Sequence, residues 1–306
     1  MKLAICALSY KRPDGLARLL EGLRAQTFVG PPPDAAIVIV DNDPEGTARE
    51  TCERLAPSLR WPLKYVIERQ RGIAYARNAA LTGAADADWI AFIDDDEVPD
   101  PAWLETLIAT QKEYDADVVG GPVLSYFPQP VPEWLVAGGF FKARRRPTGQ
   151  RLTHAFTGNV LFRRSIIDEL NLRFDVRWAL MGCEDRAFFQ RVGMAGYKIV
   201  WADDAVATEW VPASRVNPAW LIQRHYRVGN STSFIELDLR PKWKWGPILL
   251  AKSLVWALIG VGFLTAGVLG GRERRLRGRR ACAYAAGLLT GLLGIPYEEY
   301  RRTHAV

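Results

Sequence analysis

The strongest constraint on the fold is an alternation of short apolar runs with amphipathic helical patterns over the first 123 residues. Four β-rich apolar runs are each followed by a helical pattern: 3–8 then 16–23, 35–40 then 47–55, 64–67 then 73–84, and 89–93 then 101–114. A strand-like stretch at 117–123 closes the series. Strands that alternate with helices predict βαβ units, and therefore a mostly parallel sheet flanked by helices.

Polar segments follow three of these runs directly, at 9–12, 41–43 and 94–96. Ligands of open parallel sheets bind beyond the carboxyl ends of the strands, so all three segments should line one crevice. Asp41 there is a natural acceptor for base or ribose donors, although an acid at a strand end also commonly caps the next helix. The residues predicted to bind a nucleotide are Ser9, Arg12, Asp41, Arg77, Asp94 and Asp95.

The segment FIDDDE, residues 92–97, sets four carboxylates side by side. Unit charges 4 Å apart repel by ~4 kcal/mol at an effective dielectric constant near 20, so the segment calls for a cation or for raised pKa values. Val98 and Pro99 break the EF-hand spacing. The prediction is an open site in which Asp94 and Asp96 bind Mg²⁺ or Mn²⁺ and substrate phosphates complete the coordination. Helix capping is the alternative, but Asp100 before Pro101 already supplies that cap.

Glu184 and Asp185 open a helical pattern whose apolar side includes Phe188 and Phe189. A helix N-terminus stabilises an ionised carboxylate, and a general base must be ionised at neutral pH. Asp185 is therefore the candidate base, and Glu184 is expected beside it on the side of the acceptor or the diphosphate. The alternative is that both acids only favour the start of the helix.

The motifs SYKRP, IVIVDND, GIAYARNAAL, FIDDDEVPDPAWL, TGNVLFRR and GCEDRAFFQRV occur in this order. Over about residues 1–227 the chain resembles the inverting family-2 glycosyltransferases with the GT-A fold. The resemblance implies transfer of a sugar from a nucleotide diphosphate donor with inversion. It also implies that Asp41 contacts the base, that Asp94 and Asp96 are the D-x-D pair at ribose and metal, and that Asp185 is the base.

Three basic residues are candidates for neutralising the departing diphosphate: Arg77, Arg224 and Arg227. The last two lie in QRHYR, where the processive synthases carry Q-x-x-R-W, so a single addition is expected. This part of the chain resembles the branch that builds bacterial exopolysaccharides such as succinoglycan. Many relatives place a metal-binding histidine near position 209, which is glutamate here.

The C-terminal region is apolar. PKWKW at 241–245 is typical of a membrane interface, residues 253–271 contain no charge, and residues 281–296 are apolar again. A span needs roughly 20 apolar residues, so the first segment qualifies and the second is marginal. Gly267 with Gly271 and Gly287 with Gly291 have the spacing that would let the two helices pack closely. The predicted organisation is a catalytic domain at 1–240, divided at 123/124 into a nucleotide-binding half and an acceptor half, and a membrane-associated helical hairpin with its tail at 241–306.

Six arginines at 272–280, against one glutamate, account for most of the net charge of +6. This local basicity argues against a nucleic-acid surface and favours membrane lipid as a partner. If the segment is a loop and the first helix spans, the arginines land on the wrong side for the positive-inside rule. An interfacial hairpin removes that conflict, while two buried helices of a soluble protein remain the alternative.

The N-terminus lacks the pattern of a signal peptide, so the catalytic part is expected on the cytoplasmic face of the inner membrane. A saccharide acceptor linked to a polyprenyl carrier fits that location, and residues 128–147 are predicted to form a loop or a partly mobile lid. Two other functions stay open. A nucleotidyltransferase would need a glycine-rich, lysine-bearing loop, which SYKRPDG lacks; a non-catalytic membrane-tethered sugar-nucleotide binding protein would not need Asp185.

Overall fold

The computed structural model describes residues 1–299, the side chain of residue 269 apart. The chain forms two compact units: unit 1 comprises residues 1–126, 143–179 and 184–210, and unit 2 comprises 127–142, 180–183 and the chain from residue 211 onward. The predicted boundary at residue 240 remains a prediction, and the end of the predicted tail, 300–306, lies outside the described residues.

Unit 1 is built on two sheets. The strands are β1 Lys2–Ser9, β2 Asp34–Asp41, β3 Leu63–Ile67, β4 Trp89–Ile93, β5 Glu97–Pro99, β6 Val118–Gly120, β7 Val123–Tyr126, β8 Asn159–Arg163, β9 Ile199–Trp201 and β10 Ala207–Trp210. The large sheet has the order β3-β2-β1-β4-β8-β6-β9, and only β8 runs antiparallel to its neighbours. The small sheet has the order β5-β10-β7. The prediction of a mostly parallel α/β fold is confirmed.

The helices follow the predicted alternation. They are α1 Pro13–Arg24, α2 Arg49–Leu55, α3 Ile73–Gly83, α4 Trp103–Tyr114, α5 Glu133–Ala137, α6 Ser165–Glu169, α7 Glu184–Met194, α8 Pro218–Leu239, α9 Lys242–Gly270 and α10 Arg272–Leu292. In α1, Pro13 occupies the first turn, where its missing N–H costs no hydrogen bond, and Arg24 in the last turn complements the helix dipole.

Hydrophobic clusters cover both faces of the large sheet, because successive side chains of a strand point to opposite faces. Ile5 of β1 belongs to the cluster with α1 and α4, whereas Cys6 belongs to the cluster with α3 and α7. The predicted strand at 117–123 is in fact two strands, β6 and β7, in different sheets. Pro122 lies at the break, and a proline cannot donate to a sheet ladder.

In unit 2, helix α10 packs against both α8 and α9. A side chain added at Gly260 of α9 would meet Gly278 and Cys282 of α10. The expected packing of Gly287 and Gly291 against the first apolar helix is wrong, since both face Asn230 of α8. The reason is that α10 carries small residues on two sides, so each side admits a different backbone.

The prediction that the six-arginine segment is a loop is wrong. The segment forms the first half of α10. Arginine is a good helix former, and the reversal of direction needs only Gly271, whose φ of 90° favours glycine. The segment predicted as a lid also contains structure. Helix α5 lies in it, and its buried Leu135 joins Phe140, Leu221 and Leu276 in one hydrophobic cluster of unit 2.

Candidate active site

The carboxyl ends of β1, β2 and β4 lie at one edge of the large sheet, because β1 pairs in parallel with both other strands. Ser9 is in register with Asp41, and Asp94 directly follows β4. The structure therefore brings together the three polar segments that follow these strands. Their side chains differ in how far they are already hydrogen-bonded within the protein.

Asp41 is fully buried, and both of its carboxylate oxygens already accept hydrogen bonds. Oδ1 accepts from the Asp43 amide at 3.0 Å, and Oδ2 accepts from the Ala48 amide and the Tyr65 hydroxyl, each at 2.8 Å. These contacts hold the turn between β2 and α2. In this structure Asp41 thus shapes the loop at the end of β2, and its predicted contact with a base remains a prediction.

Asp43, two residues on, is buried but incompletely hydrogen-bonded. Its Oδ1 accepts from the Glu45 amide at 3.4 Å, while Oδ2 has no hydrogen-bond partner among the described residues. The hydroxyl of Ser9 is buried without a partner in the same way. Buried polar atoms are normally paired, so these two are poised for donors or acceptors from outside the protein. The position of this segment at the end of β2 indicated a binding site, but sequence could not show that Asp41, and not Asp43, is already fully hydrogen-bonded within the protein.

Arg12 neutralises two of the acids that follow β4. Its Nη1 lies 3.1 Å from Asp95 Oδ1 and 3.0 Å from Asp96 Oδ2. Burial raises the pKa of Asp95, and the Arg12 guanidinium opposes that shift. A Cβ at Gly15 of α1 would come within 2.6 Å of the Asp95 carbonyl oxygen. The glycine therefore permits the close approach of α1 to the acidic segment.

Glu97, the fourth acid of the segment, is buried on β5 directly opposite Glu209 of β10. Burial, followed by the charges of Asp94, Asp96 and Glu209, raises the pKa of Glu97 well above its usual range. This shift favours the neutral form of Glu97 and so opposes the crowding of four charges in this segment. Glu97 was not among the predicted site residues, because its partner Glu209 is distant in sequence.

Arg77 of α3 links the acidic segment to α7. Its buried guanidinium forms ion pairs with Glu184, which is also buried, and with Asp94 Oδ1 at 3.7 Å. Glu184 therefore stabilises a buried arginine at the start of α7. The predicted roles of these two residues toward a diphosphate or an acceptor remain predictions.

Asp185 is half-buried at the N-terminus of α7 and lies near Asp94. Burial is the main cause that raises the pKa of Asp94 to about 6, and the charges of Asp96 and Asp185 raise it further against the effect of Arg77. The Thr157 amide approaches Asp185 Oδ2 at 3.5 Å. The candidate base and the D-x-D pair thus belong to one electrostatic cluster of unit 1.

The TGN segment, residues 157–159, supports this cluster from β8. A Cβ at Gly158 would lie 2.8 Å from Glu97 Oε1 and 3.5 Å from Asp94 Oδ2, so a larger residue would crowd the acids. Asn159 is buried and bonded on both sides of its amide, accepting from Trp103 Nε1 at 2.8 Å and donating to the carbonyls of Pro122 and Ala205. The sequence analysis named this segment only as part of a motif. In the structure, Gly158 leaves room for the acids, and Asn159 links Trp103 to the loops at Pro122 and Ala205.

No three His, Cys, Asp or Glu side chains in residues 1–299 are grouped as a closed metal site requires. The donor set at Asp94 and Asp96 instead suits an open site, where two hard carboxylate oxygens bind Mg²⁺ or Mn²⁺ and a ligand completes the coordination. The mutual charge effects on Asp94 agree with that fit, because Arg12 and Arg77 leave its pKa raised.

Arg224 and Arg227 belong to α8 of unit 2. The Arg224 guanidinium lies 5.1 Å from the centre of the Trp220 ring, and Arg227 is paired with Glu299 at 3.2 Å. His154 and His225 are half-buried, and burial lowers the pKa of each to about 4.

Known proteins resemble this chain in sequence and in fold. The family model for glycosyl transferase family 2 matches residues 4–170, and the model for glycosyl transferase family group 2 matches residues 89–295. The chain is 31% identical over 302 residues to the succinoglycan biosynthesis protein ExoM of Rhizobium meliloti, covering 95% of this chain and 93% of that protein. It is 29% identical over 137 residues to a glucosyl-dolichyl phosphate glucuronosyltransferase of Haloferax volcanii, covering 44% of this chain and 39% of that protein.

Among solved structures, the chain is similar to the mannosyltransferase PcManGT from Pyrobaculum calidifontis in complex with GDP-Man and Mn²⁺. The TM-score is 0.62 at 19% identity, over 95% of this chain and 87% of that one. This likeness establishes the fold. Together with the family model, which covers more than half of the chain, it means that the chain belongs to glycosyl transferase family 2 and is a glycosyltransferase of the GT-A fold.

Proposed function

We propose that this glycosyltransferase moves a sugar, with inversion, from a nucleotide diphosphate donor to a hydroxyl of a lipid-linked saccharide acceptor in exopolysaccharide assembly. The observation that carries the proposal is the cluster of Asp94, Asp96 and Asp185, where the ends of β4 and α7 meet. A base beside a pair of hard ligands is what such a transfer requires.

In the proposed reaction, Asp185 accepts the proton of the acceptor hydroxyl while that oxygen forms a bond to the anomeric carbon. The bond from the anomeric carbon to the diphosphate breaks on the opposite face, and the nucleoside diphosphate leaves. Asp185 is suited to this role because it lies at the start of α7, where the helix dipole favours its ionised form. Arg77, ion-paired with Glu184, fixes that end of α7.

A divalent cation would be held by Asp94 and Asp96. When bound, Mg²⁺ or Mn²⁺ supplies charge neutralisation for the departing diphosphate. The residues of the chain that act on the nucleoside are Ser9 and Asp43, whose buried oxygens lack partners, with Asp41 holding the loop that carries Asp43. Asp95 and Arg12 pair with each other and support the loop after β4.

Membrane association is proposed from α9. Residues 242–268 have a mean hydropathy of 2.0 and only 17% of that window is buried, whereas the core helix of a soluble protein is mostly buried. One such helix is long enough to cross a membrane in the part of the chain that the structure describes. We infer a catalytic domain on the cytoplasmic face, where lipid-linked acceptors would be available, and α9 supports the membrane association that this location requires. The Haloferax relative, a glucosyl-dolichyl phosphate glucuronosyltransferase, supports such an acceptor, and ExoM supports the exopolysaccharide context.

The test uses the purified full-length protein. Thermal unfolding is followed with UDP and GDP sugars, each with and without Mn²⁺, where a ligand at 100 times its Kd stabilises by ~2.7 kcal/mol. Release of the nucleoside diphosphate is then measured with a polyprenyl-diphosphate-linked hexose as acceptor. We expect Asp185→Asn to keep the metal-dependent thermal shift and to lower turnover by about 10²–10⁴-fold, as expected for loss of a general base.

Asp168→Asn is the matched control, because Asp168 forms an exposed pair with Arg164 on α6. Its turnover should match that of the wild type. Full turnover by Asp185→Asn would contradict the role of the base and favour the non-catalytic binding protein. Transfer of a nucleotidyl group instead of a sugar would favour the nucleotidyltransferase.

A further inference from the structure

Two arginines of α10 are fixed in place without a carboxylate partner. Arg280 is half-buried and its guanidinium contacts only the imidazole of His225 and the ring of Phe140, 4.7 Å from the ring centre, within the described part of the chain. Arg277, one turn earlier, donates from Nη2 to the Gly138 carbonyl at 3.2 Å. Neither side chain forms an ion pair in residues 1–299.

His225 holds Arg280 as a neutral acceptor. Its Nδ1 lies 3.0 Å from the Leu221 carbonyl oxygen and 3.2 Å from Arg280 Nε, and in the tautomer protonated at Nδ1 that nitrogen donates to the carbonyl. Nε2 is then free to accept from Arg280 Nη2 at 2.7 Å. Burial, followed by the charge of Arg280, lowers the pKa of His225 to about 4, which agrees with a neutral ring at physiological pH. The contact orients the guanidinium without cancelling its charge.

Positive charge is concentrated at this point. Burial, followed by the neighbouring charges of Arg224 and Arg277, lowers the pKa of Arg280 to about 10. The other arginines of the segment, at 272, 274, 275 and 279, are exposed like Arg277, but they make no such fixed contacts in the described residues. A half-buried arginine among other cations is stabilised by a bound anion, and planar guanidinium groups match phosphoryl oxygens especially well.

We propose that Arg277 and Arg280 of α10 form a binding site for the phosphoryl group of a membrane lipid. His225 and Phe140 are positioning residues that orient Arg280 within this site. Because the lipid-linked acceptor belongs to the proposed function, the inference rests on that function and assigns the residues of unit 2 that bind its phosphoryl group.

A lipid is the expected carrier of the phosphoryl group because the same helix, α10, packs along α9. A Cβ at Gly260 of α9 would contact Cys282 of α10, so the site lies on the helix that supports the apolar segment. The outer face of α9 exposes large apolar side chains, among them Leu254, Val255, Leu258, Val261 and Phe263. A phosphoryl group on an apolar chain satisfies both features, whereas a free phosphate satisfies only the arginines.

The test is flotation of the full-length protein with three kinds of vesicle: phosphatidylcholine alone, phosphatidylcholine with polyprenyl phosphate, and phosphatidylcholine with phosphatidylglycerol at matched charge. We expect a phosphorylated lipid to strengthen binding over phosphatidylcholine alone. The increment is the additional binding that a phosphorylated lipid gives over phosphatidylcholine alone. Arg277→Gln and Arg280→Gln should each reduce this increment by about tenfold, as expected for the loss of a charge-assisted hydrogen bond. Binding to phosphatidylcholine alone, which depends on α9, should stay unchanged.

Arg279→Gln is the matched control, because it removes the same charge from an exposed position of the same helix. An increment that is lost in Arg277→Gln and Arg280→Gln but kept in Arg279→Gln supports the site, and the vesicle that gives it identifies the lipid. The proposal is overturned if no phosphorylated lipid strengthens binding, or if all three variants lose the increment equally, since that result indicates only diffuse charge.

Two further measurements keep folding and function separate from lipid binding. Arg280→Lys retains the charge but lacks the planar fork, so it should restore only part of the increment, and its thermal unfolding reports whether the substitution disturbs the fold. The metal-dependent thermal shift with nucleotide sugars is measured on the same preparations. Loss of the lipid increment with an intact nucleotide shift concerns the lipid site alone, while absence of the nucleotide shift in the wild type concerns the proposed function.

Discussion

The two units differ in the sign of the charge that is left in excess within a cluster of ionisable side chains. In unit 1, four acids are paired with only two arginines: Asp95 and Asp96 with Arg12, and Asp94 and Glu184 with Arg77. Negative charge is therefore in excess, and burial together with this charge raises the pKa values of Asp94 and Glu97. In unit 2, Arg277 and Arg280 are held by a carbonyl, a neutral imidazole and an aromatic ring, so positive charge is in excess.

The sign of the excess charge indicates the kind of ligand that each cluster is suited to bind. Burying uncompensated charge is costly, so a protein retains it mainly where a ligand completes the arrangement or where function requires it. An acidic excess suits a divalent cation with a nucleotide diphosphate, and a basic excess suits a phosphoryl group. Three sets of substitutions test this contrast.

The largest effect is expected at a deeply buried ion pair of unit 1, Arg77 with Glu184. Arg77 and Glu184 are both almost completely buried, so Arg77→Met should leave a buried carboxylate without a cation and lower the free energy of unfolding by about 3–5 kcal/mol. The measurement is chemical unfolding in urea. The double variant Arg77→Met, Glu184→Leu should recover part of the loss, because no charge is then stranded.

Arg24→Gln is the control for that experiment, because Arg24 pairs with Glu21 on the exposed surface of α1. Exposed pairs contribute little, so its free energy of unfolding should change by less than about 1 kcal/mol. Equal losses in Arg77→Met and Arg24→Gln would contradict the distinction between compensated buried charge and surface charge.

A smaller and divided effect is expected at the end of β2. Asp41→Asn places an amide nitrogen or a weaker acceptor among three donors, so it should lower the free energy of unfolding by about 1–3 kcal/mol. Asp43→Asn changes an oxygen that has no partner, so it should affect stability less and the affinity for a nucleotide sugar more. Thermal unfolding and titration with the donor separate the two effects. If instead Asp41→Asn lowers the affinity for the nucleotide sugar more than Asp43→Asn does, Asp41 is the residue that contacts the base.

The smallest effect is a dependence of stability on pH through His225. The pKa of this histidine falls from 6.5 to about 4 on folding, because the ring is buried and faces Arg280 and Arg224. As pH falls from 6.5 toward 4, the unfolded chain takes up a proton that the folded chain resists, so the free energy of unfolding decreases. His225→Gln should flatten this part of the stability profile, measured by thermal unfolding between pH 7.5 and 4.5.

His154→Gln is the matched comparison in unit 1. The pKa of His154 is also lowered to about 4, by burial and by the charge of Arg186. Each substitution should flatten the acid limb by itself, and the double variant should flatten it further. An unchanged profile in His225→Gln would show that the ring is not held neutral against Arg280.

Sequence patterns predicted the large sheet and most of its helices because periodicity reports which side chains face the core. They predicted which segments meet at the strand ends, since the carboxyl ends of parallel strands share an edge. They did not predict that Glu97 faces Glu209, that Asn159 tethers three distant groups, or that Asp41 rather than Asp43 is saturated. Those contacts join residues far apart in the chain, or depend on how one turn closes.

The C-terminal region shows the same division. Composition identified an apolar helix and a basic segment, but it treated the arginines as a loop and paired the wrong glycines. By itself, the sequence determined the fold class, the edge of the sheet that carries the acids and the apolar character of α9, because hydrophobic periodicity and local charge are properties of short stretches. Only the tertiary structure decided which charges are compensated, because partners such as Arg77 with Glu184 and His225 with Arg280 are brought together by packing between elements.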